Sequence, residues 1–197
     1  MDQVISFYVE ALCLLPTLFQ DLPVGVELVL KFLAIGYVIP IGIALILLVF
    51  WFVGSSAAVR FGDQRAILRG IMAAIFSWGI VVLIGSLWRV PLEGIIQEAG
   101  IDRYTCWHGM PYPSVAAAMG FALGAALWGC DWRWGLALIL LTGLWAIAQM
   151  CYGMRYPGDI LIGVVVGVGM EWLFAALRPL NRFFDRIIRW LRRWALA

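Results

Sequence analysis

Residues 66–88 read AILRGIMAAIFSWGIVVLIGSLW, and Arg69 is the only charged side chain in this stretch. A helix needs about 20 mostly apolar residues to cross the roughly 30 Å hydrocarbon layer of a bilayer. The strands of a membrane barrel would instead alternate apolar and polar residues, and this stretch does not alternate. The stretch therefore predicts a membrane-spanning helix.

The composition of the whole chain agrees with this helix. Of the 197 residues, 64% are hydrophobic and 13% are charged, whereas soluble domains carry about 45–50% and about 25%. So short a chain cannot bury that much apolar surface inside one aqueous core. The composition excludes a soluble enzyme, a nucleic-acid-binding protein and a disordered protein. We expect an all-α fold, that of a polytopic helical membrane protein.

Long apolar stretches recur along the chain, and the five predicted spans are residues 28–53, 66–88, 114–130, 135–152 and 159–177. Residues 4–19 contain Glu10 and Pro16, which favour an interfacial or re-entrant helix. The predicted organisation is one transmembrane domain over residues 1–177, followed by a separate segment over residues 178–197.

The segment 178–197 places arginines three or four residues apart among aromatic side chains. This pattern predicts an amphipathic helix on an anionic membrane surface. The alternative is a merely solubilising tail.

Arginine placement predicts the orientation. The connection between the first two spans, together with the first residues of the second, holds Arg60, Arg65 and Arg69. Arg133 follows the third span, and six more arginines lie in the tail. Alternating spans put all of them on one side, which the positive-inside rule makes cytoplasmic. We therefore expect an integral protein of the plasma (inner) membrane, with the 89–113 loop extracytoplasmic and the C-terminus cytoplasmic.

Two clusters of residues lie where spans meet the outer face. In the first, Pro113 precedes Ser114 at the start of a helix; serine is a favoured N-cap, and a helix N-terminus attracts anions. In the second, Arg155 and Asp159 stand four residues apart across a Tyr-Pro-Gly break. Taken alone, these residues fit a phosphate-binding corner or a purely structural cap and ion pair equally well.

The order and spacing of the two clusters resemble the type 2 phosphatidic acid phosphatase superfamily of membrane lipid phosphatases. The family pattern is K-x6-R-P, then P-S-G-H opening a helix, then S-R-x5-H-x3-D. The resemblance covers about residues 60–177. For the first motif, Val82 stands at the lysine position and Arg89-Val90-Pro91 is an approximate R-P. Pro113-Ser114-Val115-Ala116 stands where P-S-G-H belongs, and Ala148-Gln149, Arg155 and Asp159 stand where S-R, H and D belong.

The departures from the family pattern fall on the catalytic positions. In the family the second histidine attacks phosphorus, the aspartate orients that histidine, and the P-S-G-H histidine protonates the leaving oxygen. Here Arg155 and Ala116 occupy the two histidine positions. A guanidinium has no lone pair to offer, and alanine transfers no proton. The resemblance thus leaves Ser114, Arg155 and Asp159 as remnants, without the standard catalytic residues.

A phosphate site can survive these losses, because several polar residues fall on the same predicted face. The expected phosphate-binding residues are Arg155, Ser114, Arg89, Arg103 and Gln149. His108, the single histidine, lies on the loop before Ser114 and is the one candidate outside the motifs for a replacement nucleophile.

Three functions compete at this point. The first is a catalytically impaired, lipid-phosphatase-like protein that binds a phosphorylated lipid or serves as an accessory subunit of a membrane complex. The second is an active phosphatase or phosphotransferase acting on polyprenyl diphosphate or phosphatidate through non-standard residues. The third is a lipid carrier or flippase.

The expected partners are membrane lipids, with no nucleic acid among them. Other membrane subunits are a further alternative, through the small-residue faces of Gly120 and Gly124 or of Gly163 and Gly167. No metal and no cofactor are expected, because the four cysteines lack paired C-x-x-C spacing and the chain has one histidine.

Two smaller expectations concern single residues. Glu171 is a charge inside the last span for which the sequence suggests no partner. A disulfide is predicted between Cys106 and Cys151, because both fall on the oxidising side of the membrane.

Overall fold

The computed structural model describes residues 23–34, 37–52, 56–87, 113–151, 155 and 157–193, and it confirms an all-helical chain over these residues. The helices are α1 (Val24–Ala34), α2 (Val38–Phe52), α3 (Ala57–Leu87), α4 (Val115–Trp128), α5 (Trp132–Cys151), α6 (Pro157–Ala176) and α7 (Arg178–Arg193). The interfacial helix predicted for residues 4–19 and most of the 89–113 loop lie outside the described residues.

Three of the described helices, α3, α5 and α6, are long and apolar enough to cross a membrane. The pair α1 and α2 adds a fourth crossing if the two count as one bent span. Helix α4 is apolar but has only 14 residues, fewer than a full crossing requires. The described residues therefore contain three or four candidate spans, whereas the sequence predicted five.

The first predicted span, residues 28–53, is divided in the structure. Helices α1 and α2 meet at an angle of 64°, so a single straight helix over this stretch is wrong. The physical reason lies in Pro40, in the first turn of α2. A proline ring clashes with the carbonyl four residues earlier and is tolerated only in a first helical turn, so a helix has to restart here.

The second predicted span begins nine residues earlier than expected. Helix α3 starts at Ala57, so Arg60 and Arg65 lie on its first turns instead of in a connecting loop. The helix continues outside the apolar stretch because its backbone hydrogen bonds are made internally and do not depend on the surrounding lipid.

Helix α4 lies at the centre of the bundle and contacts α3, α5 and α6. Its side chains are mostly small, and seven of its residues are buried. Small residues bring helix backbones close together without the large side chains of a soluble core. This helix is therefore the part of the chain around which the three longer helices pack.

Glycines allow these close contacts. A Cβ on Gly120 would lie 2.6 Å from Oγ1 of Thr142, and a Cβ on Gly167 would overlap the backbone of Ala118. Gly124 and Gly163 are buried in the same way. The predicted close approach of helices is confirmed, and the faces considered for contacts with other subunits are already covered by helices of this chain.

The two ends of the bundle differ in chemistry. Gly70 of α3 lies against Ala126 near the end of α4, and Cys130 donates to the carbonyl of Gly62 at 3.7 Å. The start of α3, the α4–α5 turn and α7 thus share one end, as the arginine pattern predicted. The opposite end of the bundle contains Ser114 just before α4, Cys151 at the end of α5 and Asp159 in the first turn of α6.

The predicted disulfide between Cys106 and Cys151 is not supported. Cys151 is a free and buried thiol at the end of α5, while Cys106 lies outside the described residues. Because it is buried, the Cys151 side chain behaves as a small apolar group.

Candidate functional site

Ser114 caps the first turn of α4. Its backbone is extended, its Oγ accepts a hydrogen bond from the amide of Ala117 at 3.3 Å, and its carbonyl accepts from Ala118 at 3.1 Å. The side chain is only 1% exposed. The N-cap that the sequence predicted is confirmed, and it fixes the direction in which the N-terminus of α4 points.

A backbone hydrogen bond joins the two sequence clusters. The amide of Ser114 donates to the carbonyl oxygen of Asp159 at 3.1 Å. Asp159 lies in the first turn of α6 and is 5% exposed. One turn further along α6, a Cβ on Gly163 would lie 2.6 Å from the carbonyl oxygen of Ser114. The first turns of α4 and α6 are therefore in direct contact.

Arg155 stands just before α6 and is half-buried. Burial lowers the pKa of Arg155 from its ordinary value, and the Asp159 carboxylate opposes this shift. The backbone of Ser114 is bonded to Asp159, and Arg155 precedes Asp159 by four residues, so Ser114, Arg155 and Asp159 form one corner of the bundle. We call these three residues the α4–α6 corner.

The other predicted phosphate ligands have no established contact with the α4–α6 corner. Gln149 is partly buried in the last turn of α5, at the same end of the bundle as the α4–α6 corner. Arg89, Arg103 and His108 lie outside the described residues. Their assignment to the site stays a prediction.

Two backbone amides complete the chemistry of the corner. The first four N–H groups of a helix have no acceptor within the helix. Those of Ser114 and Ala117 are satisfied by Asp159 and by the Ser114 hydroxyl. Within the described part of the chain, the amides of Val115 and Ala116 have no hydrogen-bond acceptor, so they can donate to an anion beside the partial positive charge of the helix end.

The residue at the general-acid position of the resembled family is Ala116, in the first turn of α4. Its methyl group supplies no proton. The corner therefore offers a guanidinium and backbone amides to an anion, while Arg155 has no free lone pair and Ala116 no titratable proton.

The opposite end of the bundle holds an ion pair that the sequence did not predict. Nε of Arg69 in α3 donates to Oε1 of Glu171 in α6 at 2.5 Å, and Glu171 is only 2% exposed. Glu171, which lacked a partner in the sequence, is therefore paired with a residue 102 positions away. A signal was present in the sequence, because Arg69 and Glu171 both lie inside predicted spans, toward the ends that were predicted to be cytoplasmic.

Comparisons of the chain with protein-family models, with curated proteins and with solved structures found no match.

Proposed function

We propose that this protein binds a phosphorylated membrane lipid at the α4–α6 corner and does not cleave it through a phosphohistidine. The observation that carries the proposal is the 3.1 Å hydrogen bond from the Ser114 amide to the Asp159 carbonyl. This bond brings together two motifs that are 45 residues apart in the chain and that resemble the phosphate-binding motifs of membrane lipid phosphatases.

The binding chemistry combines one cation with backbone donors. Arg155 carries five N–H donors in a planar fork that matches a phosphate, so an interaction with Asp159 leaves donors for a ligand. The amides of Val115 and Ala116 add two further donors, and the Ser114 hydroxyl can still donate while it accepts from Ala117.

The Asp159 carboxylate has a positioning role in this proposal. It is buried and acts on the Arg155 guanidinium, as the family aspartate acts on the nucleophilic histidine. A fixed guanidinium loses less side-chain entropy when it binds a phosphate. The carboxylate that orients a nucleophile in the resembled family thus orients the phosphate-binding guanidinium here.

The absence of cleavage follows from the chemistry of two positions. A nucleophile needs a free lone pair, which Arg155 lacks, and protonation of a leaving oxygen needs a titratable group, which Ala116 lacks. The bound lipid is therefore held intact.

The proposal also includes an orientation in the membrane, with the α4–α6 corner on the extracytoplasmic side. The opposite end carries Arg60 and Arg65 on α3, Arg133 at the start of α5, and the arginines of α7. An excess of arginine marks the cytoplasmic side of helical membrane proteins. A lipid bound at the corner would then have its headgroup in the outer leaflet.

A binding measurement on the purified full chain tests the proposal. We expect Arg155→Gln to weaken binding of phosphatidate about tenfold or more, because a hydrogen bond to a charged group contributes about 1.5–3 kcal/mol. Native mass spectrometry in mild detergent, with phosphatidate and phosphatidylcholine titrated in parallel, provides the affinities.

Arg133→Gln is the matched control, because Arg133 is an exposed arginine at the opposite end of the bundle. It should leave phosphatidate binding unchanged. Equal binding of phosphatidate by the native chain and by Arg155→Gln would contradict the proposal.

A further inference from the structure

Helix α7 presents two different faces, and only one of them is used by the bundle. Phe184 and Ile188 are buried, and α7 packs against α3 and α6. On the adjacent side, Asp185 pairs with Arg65 of α3 at 3.6 Å. The central part of the apolar stripe that the sequence assigned to the membrane is thus taken up by the protein itself.

Arg192 strengthens the attachment of α7 to α3. Its Nη2 donates to the carbonyl of Ala57 at 3.2 Å and to Oε1 of Gln64 at 3.4 Å. Its guanidinium also lies 5.2 Å from the centre of the Phe61 ring. These contacts hold α7 in a fixed rotation, so its outer face is defined.

The outer face carries a row of exposed arginines. Their spacing of four, three and four residues places them on one side of the helix over roughly 16 Å. The exposed arginines of this row are Arg182, Arg186, Arg189 and Arg193. We call them the arginine row.

Two exposed aromatic residues border the arginine row. Phe183 is 51% exposed and Trp190 is 56% exposed. They are seven residues apart, so they lie on the same edge of the helix, each directly after an arginine of the row. Aromatic side chains beside a line of cations are typical of helices at the membrane–water interface.

The position of α7 along α3 matches the depth of the lipid headgroups. Residues 70–87 of α3 contain no charged side chain and extend about 27 Å as a helix, close to the roughly 30 Å of the hydrocarbon layer. The partners of α7 on α3, from Ala57 to Arg65, come before this stretch. They therefore lie just outside the hydrocarbon.

We propose that the arginine row of α7 binds the anionic headgroups of phospholipids in the same membrane, with Phe183 and Trp190 as the edge that enters the leaflet. Charge complementarity favours this occupant: four guanidinium groups face outward at headgroup depth. The row is longer than one phosphate, so it contacts several headgroups together. This surface is independent of the lipid site at the α4–α6 corner.

Hydrogen exchange of the full chain in lipid nanodiscs tests this inference. We expect residues 178–193 to exchange about tenfold more slowly in discs that contain phosphatidylglycerol than in discs of phosphatidylcholine alone. Each basic residue near an anionic surface contributes about fivefold in binding, so four give ample protection. Raised salt should reduce the difference, because exposed charges are screened.

The variant that removes the row replaces Arg182, Arg186, Arg189 and Arg193 by glutamine and leaves Asp185 and Arg192 in place. It should exchange equally in both kinds of disc, while α3 keeps its native exchange, which shows that the bundle is intact. A control with the four arginines replaced by lysine should retain most of the protection.

Equal exchange of the native helix in both kinds of disc would overturn the inference. Protection by a soluble acidic polypeptide such as polyglutamate, without protection by phosphatidylglycerol, would also overturn it and would make the row a protein-docking surface.

Discussion

Replacing Arg69 by leucine is expected to destabilise the folded chain by about 3–5 kcal/mol. The substitution leaves the Glu171 carboxylate 2% exposed and without the guanidinium to which it is paired. An uncompensated charge at such a buried position is costly, because neither water nor a counter-charge stabilises it. Thermal unfolding in mild detergent, followed by circular dichroism, measures the loss.

A double-mutant cycle separates the ion pair from the packing around it. The double variant Arg69→Leu/Glu171→Leu removes both charges and should recover most of the stability, because apolar residues often replace a buried ion pair without loss. If the double variant were no more stable than Arg69→Leu alone, the destabilisation would come from lost packing and the account of the pair would be wrong.

Gly167→Ala is expected to have the second large effect, a destabilisation of about 1–3 kcal/mol or more. The added methyl group would overlap the carbonyl of Ala118 in α4, and a backbone cannot turn aside as a flexible side chain can. Helices α4 and α6 would have to separate, which also disturbs the contact between Ser114 and Asp159. We therefore expect weaker phosphatidate binding together with a lower unfolding temperature.

The matched control for this substitution is Gly169→Ala, two residues further along the same helix. A Cβ on Gly169 has no heavy atom within 4 Å, so the change should be neutral or stabilising by up to about 1 kcal/mol through better helix propensity. Equal effects of Gly167→Ala and Gly169→Ala would show that the close approach of α4 and α6 does not limit stability.

The sequence predicted the features that depend on local composition. The long apolar stretches gave α3, α5 and α6, and the serine after Pro113 gave the N-cap of α4. The spacing of arginines also predicted which segments share an end of the bundle. Each of these inferences rests on residues that are neighbours in the chain, where length and periodicity carry the information.

The sequence did not predict the features that depend on contacts between distant segments. Arg69 and Glu171 are paired only because α3 and α6 pack side by side, and no local pattern links two positions that are 102 residues apart. The division of α7 into a buried side and an exposed arginine row likewise follows from its contacts with α3. Amphipathic periodicity identifies an apolar stripe without showing whether protein or lipid covers it.

The α4–α6 corner was predictable in part. The order of the two motifs indicated that Ser114 and Asp159 belong together, and the structure places them in direct backbone contact. The role of Gly163, whose lack of a side chain permits that contact, could not be read from the motif. The position of Arg89, Arg103 and His108 relative to the corner stays a prediction.

The most direct test of the account follows the fate of phosphatidate on the purified full chain. Lipid labelled in its phosphate is incubated with the native protein, and the intact bound lipid and the released inorganic phosphate are measured in the same sample. We expect phosphatidate to be recovered intact, its retention to fall in Arg155→Gln, and no phosphate to be released. Release of phosphate that disappears in His108→Ala would contradict this expectation and would establish a phosphatase with a displaced nucleophile.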